Sequence, residues 1–153
     1  MKLFLVRHGE SDETDQITAK GREESAKNAL ALKQFHPEIT TVYHSTKMRA
    51  KETAEIFHEV LCHHTPLVEK EGIKPIDAPE PIADELSSFT KSIMVVSHLP
   101  FLEKLTSLLL HGNAVNLPFT FEGSSVVILE KNNHSWQLIG MVSSHCFDMQ
   151  KVL

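Results

Sequence analysis

Short apolar runs alternate along this chain with longer stretches whose apolar residues recur three to four positions apart. Lys2 to Val6 is a compact apolar run and reads as a strand buried on both faces. It stops at Arg7-His8-Gly9, where glycine permits a sharp turn, and a polar, acidic loop follows from Glu10 to Gln16. Thr18 is placed to cap a helix running to about Gln34, with Ala26, Ala29, Leu30 and Lys33 at helical spacing and Pro37 closing the segment. Thr40 to Tyr43 predicts a second strand. Ser45 is then expected to cap a helix reaching about Leu61, with Ala50, Ala54, Phe57 and Leu61 on its apolar face and Arg49 near its first turn.

Residues 62–91 are broken by Pro66, Pro75, Pro79 and Pro81. They leave room for a short edge strand at Leu67-Val68 and one short helix from Ile82 to Phe89. Ser92 to Ser97, built on Ile93-Met94-Val95-Val96, predicts a buried strand that ends at His98. Pro100 suits the first turn of a further helix. Phe101, Leu102, Leu105, Leu108 and Leu109 form its inner face, and Gly112 ends it. Ser124 to Glu130 and Trp136 to Val142 flank Lys131-Asn132-Asn133 and read as a hairpin.

This order predicts an α/β fold, a three-layer α/β/α sandwich around a mostly parallel sheet with a C-terminal β-hairpin added at one side. Its parallel crossovers should be right-handed. No repeat, low-complexity tract or linker divides the 153 residues, so 1–153 reads as a single domain. A chain of this length buries roughly two-thirds of its unfolded surface without staples.

Composition narrows the class. Apolar residues are 41% and charged residues 23%, as in soluble globular domains. Fifteen basic against twenty acidic residues give a net charge of −5, which speaks against nucleic acid or anionic membrane as a partner. Any anion site must come from a local arrangement of basic groups. Cys62 and Cys146 have no CxxC spacing and make no disulfide framework, so both are read as buried small hydrophobes in a reducing, cytoplasmic setting. The N-terminal apolar stretch ends after four residues, short of the roughly 7–15 of a signal peptide.

In a parallel sheet, ligands bind beyond the carboxyl ends of the strands. Arg7 and His8 follow the first strand, Arg49 sits just after the second, and His98 follows the Ile93–Val96 strand. Three strand-to-helix junctions thus deliver two arginines and two histidines to one edge, where helix N-termini add partly positive N–H groups. Guanidinium forks match a phosphoryl group in charge and shape. They also disfavour a second positive charge nearby, which keeps a histidine neutral and nucleophilic. Singly, each residue has a plainer reading. Arg7 could pair with a carboxylate, His8 could cap a strand end, Arg49 could be solvated, and His98 fits either reading. Their convergence carries the functional one.

These residues also resemble a known family. Arg7-His8-Gly9-Glu10 is similar to the Arg-His-Gly signature of the histidine phosphatase superfamily, the phosphoglycerate mutase-like enzymes. Ser45-Thr46-Lys47-Met48-Arg49-Ala50-Lys51-Glu52-Thr53-Ala54 resembles its Ser-Pro-x-x-Arg-Ala-x-x-Thr-Ala motif, with Thr46 in place of proline. Thr18-x-x-Gly21 resembles the start of its first helix, and Ser97-His98-Leu99-Pro100 is similar to the last motif in the SixA-type branch, the phosphohistidine phosphatases. The resemblance implies His8 as the phosphorylated nucleophile, His98 as a second histidine flanking the phosphate, Arg7 and Arg49 as phosphate clamps, and neither metal nor organic cofactor.

Larger relatives carry a helical insertion that supplies a general acid. Here the corresponding interval is about 30 residues and rich in proline, which implies a minimal helical cap. Asp77, Glu80, Asp84 and Glu85 are candidate acids within it, and Glu10, Asp12 and Glu13 are candidates in the loop after His8. An open site admits a side chain protruding from another protein, and phosphoimidazole depends less on a positioned acid than an ester does. The expected activity is therefore hydrolysis of phosphohistidine in a phosphotransfer protein. The alternatives are a small phosphate ester as substrate, or a non-catalytic phosphoryl-binding module. No GxxxxGK[ST], GxGxxG or HExxH motif is present, neither cysteine has an arginine six residues on, and His63-His64 reads as a solvated helix end.

Overall fold

A computed structural model describes residues 1–144. The elements are β1 (Lys2–Arg7), α1 (Ala19–Lys33), β2 (Thr41–His44), α2 (Met48–Leu61), β3 (Leu67–Glu69), α3 (Glu80–Ser87), β4 (Ile93–Ser97), α4 (Phe101–His111), β5 (Val126–Asn132) and β6 (Ser135–Val142). The sheet runs β3-β2-β4-β1-β5-β6. Its β3, β2, β4 and β1 are parallel, and the β5–β6 hairpin adds antiparallel to β1. The three-layer α/β sandwich expected from the sequence is the architecture found.

Strand side chains point alternately to the two faces, which is why continuous apolar runs were needed. Phe4, Val6, Met94 and Val96 pack with Ala29 and Leu32 of α1 and Ala50, Ala54 and Phe57 of α2. Leu3, Leu5, Ile93 and Val95 pack on the other side with Ile82 and Leu86 of α3 and Phe101, Leu102 and Leu105 of α4. Adjacent strands therefore send their helices to opposite faces. The chain after β1 and β2 turns to one side and that after β4 to the other, which opens a crevice at the carboxyl end of β4.

Some local expectations change. Thr18 does cap α1, its hydroxyl accepting from Gly21 N at 3.1 Å. The apolar stripe read on α1 is different, because Leu30 is 56% exposed and the buried face is Gly21, Ser25, Asn28, Ala29 and Leu32. The buried polar pair has partners across the domain: Ser25 Oγ lies 2.7 Å from Ser124 Oγ, and Asn28 Nδ2 donates to the Ser124 carbonyl at 2.8 Å. Ser45 is not the cap of α2. The helix starts at Met48 with Lys47 at its N-cap and no capping side chain of its own. Gly112 ends α4 in the left-handed region, with its N–H bonded to the Leu108 carbonyl. His63 and His64 are exposed just past α2. Cys62 is buried and unpaired, and burial pushes its thiol up, which disfavours the reactive thiolate. Cys146 lies outside the described residues. Between α2 and β4 there are only a three-residue strand and an eight-residue helix, so the expected minimal cap is what is found.

Candidate active site

Register builds the site. Arg7 pairs with Ser97 across β1 and β4, so His8 and His98 leave adjacent strand ends side by side. His8 N donates to the Ser97 carbonyl at 3.0 Å, and the two imidazole centroids lie 5.2 Å apart. On the other flank of β4, Ser45 N donates to the Val96 carbonyl, which places the Ser45 hydroxyl 2.7 Å from His98 Nε2. The residue read as a helix cap thus contacts the second histidine instead.

The loop after His8 is held by close packing. Gly9 N donates to Thr53 Oγ1 of α2 at 2.9 Å, and Thr53 Oγ1 in turn donates to the Arg49 carbonyl. A side chain at Gly21 would bring Cβ to 2.5 Å from the Glu10 carbonyl. Glycine there lets the first turn of α1 sit directly against the loop.

His8 Nδ1 lies 2.8 Å from the Gly9 carbonyl. A carbonyl can only accept, so Nδ1 carries the proton and Nε2 carries the lone pair. Arg49 Nε donates toward that lone pair at 3.3 Å. The same atom is the nucleophile that the chemistry requires.

Both guanidiniums are tethered by one corner. Arg7 Nη1 donates to the Phe121 carbonyl at 2.7 Å, and Arg49 Nη1 to Asp15 Oδ1 at 2.5 Å. On Arg7 the Nε–Nη2 side remains, with two parallel N–H bonds suited to bidentate binding of an oxyanion, whereas on Arg49 Nε rests on His8 Nε2 and Nη2 remains. Arg7 Nε is buried without a hydrogen-bond partner, and so is His98 Nδ1. Together with Ser125 Oγ these are the buried side-chain polar atoms that lack a partner among the described residues. Arg7 adjoins His8 in the chain and the His98 ring lies 5.2 Å from its ring, so both atoms stand near where an oxyanion bound at His8 would seek donors. A Ser45 hydroxyl that donates to His98 Nε2 puts the imidazole proton on Nδ1, where it can meet such an oxygen.

Electrostatics favour neutral histidines. Burial is the largest cause holding His8 below its ordinary value; Arg49 and Arg7 push the same way, while the Gly9 hydrogen bond and Asp15 oppose them. Burial likewise brings His98 down to about 3, with His8 and Arg49 adding to it and Asp15 opposing. The sequence gives the arginines the leading part in this effect, whereas in the fold desolvation leads.

Of the candidate acids, Glu10 shares a cavity with His8. This cavity of about 390 Å³ is lined by Arg7, His8, Glu10, Lys20, Glu24 and Glu122, among others. Glu85 pairs with Lys70, Asp77 accepts from Lys74 N, and Asp12 accepts from Thr14 within its own loop. Glu13, Glu80 and Asp84 are exposed. Sequence reasoning missed Asp15 and Glu122 and misread Ser45. The position of Asp15 depends on a loop conformation that no spacing rule encodes, and Glu122 lies ahead of β5, far from any motif. Among the described residues, no group of three or more His, Cys, Asp or Glu converges as a metal site would require.

An α/β sheet whose switch-point edge holds a neutral imidazole beside two guanidinium groups is built to handle a phosphoryl group. The chain belongs to the histidine phosphatase superfamily (branch 1), whose family model matches residues 3–80, and it is a phosphatase. That span includes Arg7, His8 and Arg49. Over 150 residues it is 28% identical to phosphohistidine phosphatase SixA of Escherichia coli K12, covering 90% of this chain and 93% of that one. The solved structure of the protein histidine phosphatase SixA complexed with tungstate is similar at a TM-score of 0.83, with 25% identity, over 94% of this chain and 97% of that one. A putative phosphohistidine phosphatase SixA from Agrobacterium tumefaciens shares the fold at a TM-score of 0.72 and 19% identity, over 93% and 96% of the two chains.

Proposed function

We propose that residues 1–153 form a single phosphatase domain that hydrolyses phosphohistidine on a phosphotransfer protein. The His8 Nε2 lone pair attacks phosphorus as the P–N bond to the substrate imidazole breaks. The phosphoryl group is then carried on His8 Nε2, and the leaving imidazole takes a proton. Water attacks in a second step, releasing inorganic phosphate and free His8. Arg7 and Arg49 offset charge on the equatorial oxygens, and His98 Nδ1–H donates to one of them.

The observation that carries this reading is the Nδ1–H···O=C bond of His8 to Gly9, which leaves Nε2 unprotonated and facing Arg49 Nε. The protein substrate is supported by the short segment between α2 and β4 and by the likeness to SixA, named a phosphohistidine phosphatase. Glu10 and Glu122 beside His8 favour a second reading, a small phosphate ester whose alkoxide needs an acid. We assign the protein to the cytoplasm, in keeping with its unpaired Cys62; among the described residues no helix is long and apolar enough to cross a membrane. Nucleic acid is not a partner on this reading, given the net charge of −5.

The test compares a phosphohistidine-bearing phosphotransfer domain with para-nitrophenyl phosphate, using wild type and His8→Ala. Fast His8-dependent dephosphorylation of the protein with slow ester turnover is the expected result. Fast ester turnover would transfer the assignment to the small-ester reading.

A further inference from the structure

Asp15 stands apart from the residues the family signature names, yet it contacts the site more directly than any candidate acid. It lies in the loop between β1 and α1, whose legs are closed by a Ser11–Ile17 bridge and by the Asp12 N–H to the Gln16 carbonyl. Asp12 Oδ1 accepts from Thr14 N and Thr14 Oγ1, tightening the tip. Ile17 N donates to Glu52 Oε1 of α2 at 2.9 Å, fastening the returning leg to that helix. Asp15 itself takes φ of 65°, a left-handed conformation that Asp tolerates better than most residues. The turn thereby carries its carboxylate to the start of α2. One oxygen accepts from Met48 N at 2.8 Å, and the other accepts from Arg49 Nη1 at 2.5 Å.

We propose that Asp15 is the positioning residue for Arg49: its carboxylate holds the Nη1 corner and so turns the Nε–H toward the nucleophilic nitrogen of His8, with Nη2 left to meet the phosphoryl oxygens. This rests on the reading of His8 as nucleophile. The geometry is a relay of two contacts, Asp15 to Arg49 Nη1 and Arg49 Nε to His8 Nε2 at 3.3 Å. A guanidinium is planar, so fixing one corner and the Nε vector fixes the orientation of the fork. The plainer role would be that of a helix cap, since Lys47 offers α2 no capping side chain and Asp15 accepts the first N–H of the helix. Capping alone does not require the second oxygen to lie on Arg49.

The charge on Asp15 has a second effect. It opposes the lowering that burial, Arg49 and Arg7 impose on His8. The groups facing His8 are Arg7 from β1, Arg49 from α2, His98 after β4, and Glu10, Lys20, Glu24 and Glu122 around the adjoining cavity. Removing the Asp15 carboxylate while leaving these in place must move the His8 titration to lower pH.

The test uses Asp15→Asn, Lys47→Ser and the double variant. Asn has the shape of Asp but cannot accept from both Met48 N and Arg49 Nη1. Lys47→Ser supplies a cap to α2 in cis, at a residue already extended as a cap requires. Proton NMR titration of the His8 ring is read beside kcat and KM on the phosphotransfer substrate. In Asp15→Asn the His8 titration and the acid limb of kcat/KM should move to lower pH. Loss of orientation should cut kcat by about ten- to hundredfold with KM little changed. Both changes should persist in the double variant even as its Tm recovers. Wild-type titration and kcat in Asp15→Asn, with only Tm reduced, would overturn the proposal, and so would recovery of both by Lys47→Ser. If wild type turns over no phosphoryl substrate, the functional reading fails by itself, and the NMR signal of the Arg49 Nε–H, set in wild type by its bond to His8 Nε2 and displaced in Asp15→Asn only if Arg49 loses its orientation, still decides whether Asp15 acts through Arg49.

Discussion

His98 is 1% exposed and is brought to about 3 by burial and by the cations around it. The unfolded chain binds that proton with the ordinary value of 6.5. Between these two values the unfolded state holds more protons, so stability is complete above about pH 6.5 and declines as pH falls toward 3. At ~1.4 kcal/mol per pH unit, His98 alone can remove up to about 5 kcal/mol across that window. That is a large share of the roughly 5–15 kcal/mol that holds a domain folded. His98→Asn offers no titrating group, so its unfolding free energy should depend on pH less steeply, by about one proton. Urea unfolding at several pH values between about 6 and 4.5 measures the slope. That range lies above 3.8, the ordinary carboxylate value, so the lowered Asp12 and Asp15 add little to the slope there. Wild type should lose about 1.4 kcal/mol more than the variant for each pH unit. Equal slopes would mean that His98 is protonated in the fold, and the account of a neutral second histidine would be refuted.

Two further outcomes follow from packing and fork geometry. Gly21→Ala places a methyl group 2.5 Å from the Glu10 carbonyl, against backbone that is not free to move away. It should cost about 1–3 kcal/mol in urea unfolding and lower kcat, because the displaced loop carries His8. Arg7→Lys keeps the charge but loses the fork, and an ammonium bound to the Phe121 carbonyl leaves no parallel pair of donors. Its kcat/KM should fall about a hundredfold or more while Tm stays near wild type.

The mostly parallel sheet and its two-sided core were legible because the signals were local. Ile93 to Val96 and Leu3 to Val6 are apolar on both faces, which marks buried strands of a parallel sheet, whereas their pairing and the strand order are set by the fold. The convergence of Arg7, His8, Arg49 and His98 was legible for the same reason: Arg7 and His8 stand at the end of β1, His98 follows β4, Arg49 opens the helix after β2, and strand ends of a parallel sheet share an edge. Other features depended on conformation or register and left no mark in spacing. Leu30 looked like core, yet α1 buries Ser25 and Asn28 because the turn at Ser124 supplies their partners from nearly 100 residues away. Ser45 looked like a cap, yet the β2–β4 register carries its hydroxyl to His98. Asp15 was hidden by a left-handed turn. The loop before β5 offered no motif, although the Phe121 carbonyl holds Arg7 and Ser124 N donates to the Arg7 carbonyl.

The central claim is that the phosphoryl group passes through His8 Nε2. The most direct measurement is a rapid quench in base during turnover of a ³²P-labelled phosphotransfer domain, followed by peptide mapping and NMR of the labelled imidazole. The account predicts label that is stable in base and labile in acid, on the peptide containing His8 and on Nε2. Label on Nδ1 or on another residue would contradict it, as would steady turnover with no labelled enzyme at any quench time.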